Sequence, residues 1–482
     1  MAAGLSEAGT SVACSLHHSE RRPSERLVPP APKPPAAGGS APGFVKAFRA
    51  LRALRTNGLT VWATRAYEEL LIHRRYLGTD CYLVSDPEAV HHVLSANSDN
   101  YQRPLGIRRL FGPWMGCGLV LAEGAEWRSQ RRRLSPAFGP RHIEGLLPRL
   151  TDAGGRMLGR LDESRGANFA GMFLDVAIDV LGHAIFSFPL DRYADRIDRL
   201  HRAYFTFAIR VTLLDYLARH EGDFFFGRGL RARLGRQLHG VVDELIAVRR
   251  SRTHSGGTEP DLMELLLAAR DADTGAPLPM AEMRDQVATM LAVGYDTTAR
   301  LMFWATYLLS RDQDEQARVR HELAGFTPEA VRSLEDLRRW PRLICVLMET
   351  LRLYPPVQGL VRVARGPDQI GGLAVRTGSV VAVCPWVIHR HRALWDDPDV
   401  FMPERFANSA RGNPSDYTYI PFGVGPRVCI GNTFAMTEAM LILAQLFERY
   451  HVVLDDDRPV MPTSIVTTAP NIEPTFRLTR TG

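Results

Sequence analysis

The sequence predicts a mainly α-helical fold with a small β-rich subdomain, and three observations carry that expectation. Apolar residues recur at helical spacing through most of 125–355. Beyond residue 360 the pattern shortens to alternating runs at 360–364, 369–375 and 379–384, separated by Gly371-Gly372 and Thr377-Gly378. After residue 43 no linker-like stretch divides the chain, so one large core fits better than the about three domains that length alone would suggest.

Residues 1–43 are rich in Ala, Pro, Gly and Ser and lack the apolar run of a secretory signal. They read as a disordered tail; a targeting peptide is the weaker alternative, because Glu7, Glu20 and Glu25 interrupt the basic character. Residues 44–482 read as a single domain. It opens with Phe44, Phe48, Leu51 and Leu54 at helical spacing, with Lys46, Arg49, Arg52 and Arg55 between them. This amphipathic basic helix is read first as packed on the core and second as a peripheral membrane contact. Residues 80–85 read as a strand closed by Asp86-Pro87, with a helical follow-on from Glu88 to Leu94. Residues 101–120 read as a loop carrying Leu105, Ile107, Leu110, Phe111, Trp114 and Met115. Helices are expected near 126–134, 141–162, 172–186, 195–218, 230–250, 261–270, 281–310, 313–323 and 341–354, and strand-like alternation over 450–480.

Composition narrows the class. A hydrophobic share of 45% and a charged share of 23% suit a globular protein. The net charge of +6 comes with arginine clusters at 131–133, 249–250 and 338–339, which read as solvated helix faces rather than a nucleic-acid surface. Six cysteines without paired spacing argue against a disulfide framework and for a reducing compartment, hence a cytoplasmic location. No window of ~18 consecutive apolar residues occurs, so no transmembrane span is expected. A monomer is the expected state.

The most informative stretch is Pro421-Phe422-Gly423-Val424-Gly425-Pro426-Arg427-Val428-Cys429-Ile430-Gly431, followed by a helix-like run from Asn432. A cysteine in a glycine turn ahead of a helix N-terminus is suited to be a thiolate. With no second cysteine near it, it cannot complete a four-ligand zinc or iron–sulfur site. A small buried hydrophobe is the competing reading. The run Phe422-x-x-Gly425-x-Arg427-x-Cys429-x-Gly431 resembles the haem-binding signature of the cytochrome P450 family, the haem-thiolate monooxygenases, at every fixed position. The resemblance implies the cytochrome P450 fold and a heme b cofactor (iron protoporphyrin IX). It implies Cys429 as proximal iron ligand, Phe422 beside the sulfur, and Arg427 on a propionate.

Other motifs extend the resemblance over about 75–482, in the family's order. Val293-Gly294-Tyr295-Asp296-Thr297-Thr298 places Gly, Asp and Thr inside a long helix, where they are locally unfavourable. It is similar to the family's motif over the distal haem face. There the glycine, here Gly294, opens the helix for dioxygen, and the acid–alcohol pair, here Asp296 and Thr297, delivers protons for its cleavage. Val293 departs from the usual Ala or Gly and would narrow the pocket. Glu349-x-x-Arg352 lies among apolar residues and so needs buried partners; the family's pattern implies a triad with Arg405 of Pro403-Glu404-Arg405-Phe406. Trp127 and Arg131 share one helix face. They resemble the family's propionate donors, as does Arg362. His389, His391 and Arg392 lead into Trp395 and Pro398, a family landmark; no third ligand follows at metal-site spacing.

The resemblance implies a monooxygenase that inserts one oxygen atom of O2 into a hydrophobic small molecule such as a lipid, terpenoid or aromatic. The aromatic stretch 200–227 and the 101–120 loop are the candidate substrate contacts. No flavin or ferredoxin module follows in the chain, so electrons are expected from a separate ferredoxin or flavodoxin with its NAD(P)H reductase. Arg128, Arg131, Arg132 and Arg133 are candidates for the docking face. A haem-thiolate peroxygenase and a non-catalytic haem-binding sensor are the alternatives; the acid–alcohol pair speaks against both.

Overall fold

The structure, a computed structural model, describes residues 26–35, 52–53, 55–76, 78–161, 166–209, 227–251, 261–270, 275–407 and 417–481. Most of the expected tail, most of the expected basic helix around 44–54, and Leu213, Leu214, Tyr216 and Phe224 to Phe226 lie outside the described residues. The helices are α1 (Pro87–His91), α2 (Leu105–Met115), α3 (Gly124–Leu134), α4 (Pro140–Leu158), α5 (Phe169–Phe186), α6 (Asp191–Ala203), α7 (Arg228–Ser251), α8 (Leu262–Ala268), α9 (Met280–Arg311), α10 (Gln313–Ala324), α11 (Pro341–Leu353), α12 (Pro385–Ile388) and α13 (Asn432–Arg449). The strands are β1 (Leu71–Tyr76), β2 (Thr79–Val84), β3 (Tyr101–Gln102), β4 (Leu360–Ala364), β5 (Asp368–Ile370), β6 (Leu373–Val375), β7 (Val380–Val383), β8 (Tyr450–Leu454), β9 (Pro462–Ser464), β10 (Thr468–Pro470) and β11 (Phe476–Arg480). The mainly α class with a small β portion is therefore what the chain adopts.

Contacts group the chain into two compact units, each discontinuous in sequence: Met1–Gln102 with Gly154–Phe173 and Thr297–Gly482, and Arg103–Ala153 with Leu174–Asp296. The long helix α9 contributes its first part to one unit and its second part to the other.

The first unit holds the sheets. Its five-stranded sheet has the order β1-β2-β7-β4-β3. Strand β2 runs parallel to β7, with Cys81 opposite Val380. Strand β4 is antiparallel to β7, with Arg362 opposite Val381. Val84, Val381, Val383, Val90, Val93 and Ile420 form a fully buried cluster against this sheet. The hairpin β5–β6 turns on Gly371 and Gly372, both in the left-handed region (φ +51 and +81) that glycine tolerates. Strand β1 had no signal in the sequence. It is an edge strand, and its exposed His73-Arg74-Arg75-Tyr76 hide the alternation.

Residues 26–35, expected to belong to a disordered tail, are instead held in this unit. Phe401 N–H donates to the Leu27 carbonyl (2.9 Å) and the Tyr354 hydroxyl to the Pro30 carbonyl (2.9 Å). The prolines restrict the free chain, so ordering it costs less entropy.

The second unit corrects the expected loop at 101–120: its centre is the 11-residue helix α2. Gly106, Gly112 and Pro113 suppress the helical signal, but tertiary packing overrides them. Trp114 and Met115 are buried, and a Cβ on Gly235 of α7 would strike the Pro113 carbonyl, so that glycine lets the two helices approach closely. Past α6 the chain continues in a wider π-type turn, Tyr204–Ala208, where the long helix expected at 195–218 departs from α geometry.

Candidate functional site

The turn that carries Cys429 is built by two left-handed glycines, Gly423 and Gly425, each at φ +71. A Cβ on Gly425 would also collide with the Leu94 carbonyl oxygen, so that position needs glycine for both reasons. Gly423 N–H donates to the Ile420 carbonyl (3.0 Å), Val428 N–H to Gly425 (3.1 Å) and Cys429 N–H to Phe422 (2.9 Å). Cys429 is exposed, and the described cysteines form no disulfide. Three residues later α13 begins, with Gly431 at its cap offering no side chain and the Thr433 N–H donating to Asn432 Oδ1 at 2.7 Å. That end carries partial positive charge and favours an anion nearby.

Phe422 is thus brought onto Cys429 through its carbonyl. Arg427 ends a short 3-10 turn, Gly425–Arg427, in the same loop. Arg362 is 9% exposed on β4 and belongs to the same unit; its Nη1 donates to the Val361 carbonyl at 2.9 Å. Trp127 and Arg131 lie in the other unit on one face of α3, both half-buried.

The donor set fits a haem. One sulfur is presented at a helix N-terminus, and the same unit carries the Arg427 and Arg362 guanidiniums, donors suited to carboxylates. Among the described residues no group of three or more His, Cys, Asp or Glu could hold a bare metal ion. A macrocycle that supplies its own equatorial nitrogens needs only the single protein ligand.

Behind the turn lies the expected ion triad. Glu349 and Arg352 are both fully buried and bidentate, with Arg352 Nε to Glu349 Oε2 at 2.7 Å and Nη2 to Oε1 at 2.8 Å. Arg405 Nε reaches Glu349 Oε1 at 3.1 Å, and Met402 N–H the same oxygen at 2.8 Å. Arg352 Nη1 also donates to the carbonyls of His389 (2.7 Å) and Pro398 (2.6 Å). Every charge is met, which is the condition for keeping ions in a core. The histidines that invited a metal reading have other partners. His389 accepts the Ile420 N–H, and His391 Nδ1 the Ala393 N–H (3.2 Å).

Helix α9 runs unbroken past the Gly294–Thr298 segment. Between Gln286 and Ala299 its residues are buried except Val293, Gly294 and Thr297, which are half-buried. Asp296 is 5% exposed. Gly294 does not interrupt the helix, contrary to the opening expected there: a Cβ on it would come 3.1 Å from Leu181 Cδ1 on α5, so its missing side chain serves close helix packing. Of the expected substrate contacts, Trp114 and Tyr204 are core instead. Their ring centroids lie 4.6 Å apart with the planes tilted by 36°, both are essentially unexposed, and the Tyr204 hydroxyl donates to the Leu110 carbonyl at 2.6 Å. Burial raises Tyr204 above the ordinary phenol range. Phe205 is half-buried and Phe207 is 62% exposed.

Among the basic residues of α3, Arg133 is bound to Ser129 and to the Glu282 carboxylate, whereas Arg128 and Arg132 are exposed. Sequence reasoning also missed the clamp on residues 116–119. Cys117 N–H donates to Asp285 (2.7 Å) and Leu119 N–H to Gln286 (3.1 Å), both on α9. One described helix, Phe169–Phe186, is long and apolar enough to cross a membrane, and 67% of that window is buried inside the protein, as in a core helix.

A family model described as Cytochrome P450 matches residues 61–476. The chain is 30% identical over 418 residues to cytochrome P450 4F5 of Rattus norvegicus, covering 79% of this chain and 77% of that one. It is 28% identical over 443 residues to the cyclooctat-9-en-7-ol 5-monooxygenase of Streptomyces melanosporofaciens, covering 92% and 94%. It is 27% identical to the chloroplastic carotene epsilon-monooxygenase of Arabidopsis thaliana, covering 79% and 74%. Among solved structures, the heme domain of cytochrome P450DA superposes with a TM-score of 0.73 at 24% identity, covering 95% of this chain and 99% of that one. Retinoic acid-bound cyanobacterial CYP120A1 does so at 0.72 and 24%, covering 86% and 92%.

Proposed function

This chain belongs to the cytochrome P450 family, and on that premise we propose how its own residues run the chemistry and what it acts on. It is a haem-dependent cytochrome P450 monooxygenase. Bound haem iron supplies the activation of dioxygen, with two electrons and two protons placing one oxygen atom in the substrate and the other in water.

In our reading Cys429 Sγ would hold the haem iron, and the hydrogen bond from its own N–H to Phe422 sets its direction. Arg427, Arg362, Trp127 and Arg131 would hold the haem's two carboxylates, and the Phe422 ring would shield the sulfur from water. On α9, Asp296 takes protons from solvent and Thr297, its half-buried neighbour, hands them on. Gly294 gives α9 its close fit to Leu181 and so holds that pair in register. Val293 stands one helical turn before Thr297 and trims the space beside it. Residues 44–482 act as one domain, because a single family match spans both compact units and α9 is shared by them.

The substrate we propose is an isoprenoid. Two relatives are named for cyclooctat-9-en-7-ol and carotene, and half-buried apolar residues such as Val293 suit such skeletons. Electrons come from a separate ferredoxin or flavodoxin with its NAD(P)H reductase, docking on exposed Arg128 and Arg132 rather than on Arg133. We place the protein in the cytoplasm as a monomer.

The observation that carries this reading is the glycine-built turn presenting Cys429 at the head of α13. The test is a carbon monoxide difference spectrum of the reduced, haem-loaded protein. A red-shifted Soret band that Cys429→Ala abolishes is expected; a band that survives that change overturns the assignment. Thr297→Ala should keep the band while oxygen consumption outruns product, and fully coupled turnover removes Thr297 from the relay. Charge reversal at Arg128 and Arg132 should raise KM for the donor and flatten its salt dependence; unchanged donor kinetics defeat the docking face. A spin-state shift on adding isoprenoid alcohols but not straight-chain fatty acids supports the substrate class, and the reverse refutes it.

A further inference from the structure

We infer that His389 is a positioning residue for Cys429: its imidazole accepts the Ile420 N–H and fixes the segment that enters the cysteine turn. The inference rests on Cys429 being the haem ligand and goes beyond it, since nothing in the P450 signature of 422–431 includes residue 389.

His389 follows α12 and is fully buried. Its Nε2 lies 2.9 Å from the Ile420 amide nitrogen. A backbone N–H can only donate, so Nε2 must offer its lone pair and the ring proton must sit on Nδ1. Three neighbours hold the ring in that pose. It stacks on Tyr419 at 5.3 Å with 29° between planes and meets Trp395 edge-on at 6.5 Å. Its own carbonyl takes the Arg352 Nη1 bond, and Arg352 is locked by Glu349. Burial, together with the guanidinium charges of Arg352 and Arg390, keeps His389 well below the ordinary histidine range, so the lone pair stays available.

From Ile420 the restraint passes directly into the turn. The Ile420 carbonyl takes the Gly423 N–H at 3.0 Å, and the Phe422 carbonyl takes the Cys429 N–H at 2.9 Å. A continuous set of bonds therefore joins the buried Glu349–Arg352 pair to the sulfur-bearing residue, and His389 is its one side-chain link that can be removed without unpairing an ion. Outer groups of this kind orient a metal ligand. Without the acceptor, the Ile420 N–H would be left unsatisfied in a residue that is 1% exposed.

The test compares His389→Leu, His389→Gln and a core control, Val452→Ala, as haem-loaded proteins. Gln places an amide oxygen near the lost Nε2; Leu does not. In His389→Leu, amide hydrogen exchange at Ile420 should accelerate, and the thiolate-type carbon monoxide band should convert to the thiol type, each about tenfold faster than in wild type. The reduction midpoint should shift, and His389→Gln should restore all three readouts. Exchange and band conversion in His389→Leu no faster than in wild type, or no faster than in Val452→Ala at matched loss of Tm, overturn the inference. If His389→Leu does not fold, Ile420 exchange in wild type and His389→Gln decides: slow in both supports the bond, and fast exchange in wild type overturns it. A wild type without the thiolate band would instead defeat Cys429 as ligand, while the exchange measurement would still report on the His389–Ile420 bond.

Discussion

Cys117 and Cys429 sit in turns that look alike as sequence: Gly116-Cys117-Gly118 in one, and Gly425 to Gly431 around Cys429 in the other. Both are exposed and both turns use left-handed glycine, Gly116 at φ +60 and Gly425 at φ +71. Their neighbours differ. The Cys117 turn is docked by side chains: its N–H goes to the Asp285 carboxylate, its carbonyl takes Gln130 Nε2 at 2.9 Å, and a Cβ on Gly116 would strike the Asp285 carboxyl group. That is the wrong charge beside an anionic sulfur. The Cys429 turn is docked by backbone, with the Leu94 carbonyl against Gly425 and Phe422 receiving the cysteine N–H, and a helix N-terminus follows. A glycine turn makes room for a cysteine; what lines that room decides whether the sulfur can serve as a thiolate.

The comparison can be broken most directly by exchanging the cysteines' fates. Cys429→Ala should abolish the thiolate-type spectrum and product formation. Cys117→Ala should leave both within about twofold and stability within about 0.5 kcal/mol, as a surface change does. Equal losses in the two variants would end the distinction.

The ionic backing comes next, because only the Cys429 turn has a buried ion triad linked to it. Arg352→Ala removes the bidentate partner of buried Glu349, leaving it only Arg405 and the Met402 N–H, and should lower unfolding free energy by roughly 3–5 kcal/mol, read from denaturant midpoints. A loss under about 1 kcal/mol would show the triad to be dispensable.

The glycines give a smaller contrast. Both Gly425→Ala and Gly116→Ala carry left-handed strain; Gly425→Ala also meets a rigid carbonyl and should cost at least about 2 kcal/mol, whereas Gly116→Ala meets a carboxyl group whose side chain can shift and should cost less, about 1 kcal/mol. Reversed order in thermal melts would contradict the assignment of backbone docking to one turn and side-chain docking to the other.

The smallest effect concerns Glu438, on the helix that follows Cys429. It is 1% exposed, its Oε1 has no hydrogen-bond partner, and burial holds it well above the ordinary glutamate range. Its folded-state value is raised, so its contribution to stability is fully present below pH ~4.5 and is lost as pH rises above that. Glu438→Gln should therefore remove part of the decline in stability on the alkaline side and change little in acid. A parallel stability–pH curve for the variant would mean that Glu438 is ionised in the fold after all.

Much of this was legible in the sequence. The helices at α3, α11 and α9, the strand β4 and the turn at Gly371-Gly372 fall where periodicity and turn residues place them, because those signals are local. The triad was legible too: charges at i and i+3 amid Leu343, Val346, Leu347 and Leu351 can only be buried, and a buried pair requires a partner. Helix α2 and strand β1 were not. Glycine and proline weaken the first and exposed arginines the second; α2 forms because the distant α7 covers it, and β1 because β2 pairs with it along its whole length. The docking of residues 26–35 was hidden by a composition that, taken alone, describes a disordered chain.

What the sequence alone determined is the chemistry at hand: a single thiolate candidate in a turn only glycine can make, an acid–alcohol pair inside a helix, and the P450 family these identify. Tertiary structure alone decided which of two exposed glycine-turn cysteines has a carboxylate beside it, that Arg133 is held by Glu282, that Trp114 and Tyr204 are core, and that His389 faces Ile420. Residue type and spacing are properties of the chain, whereas burial and partnership are set by residues far away in it, such as Asp285 for Cys117 and Ile420 for His389.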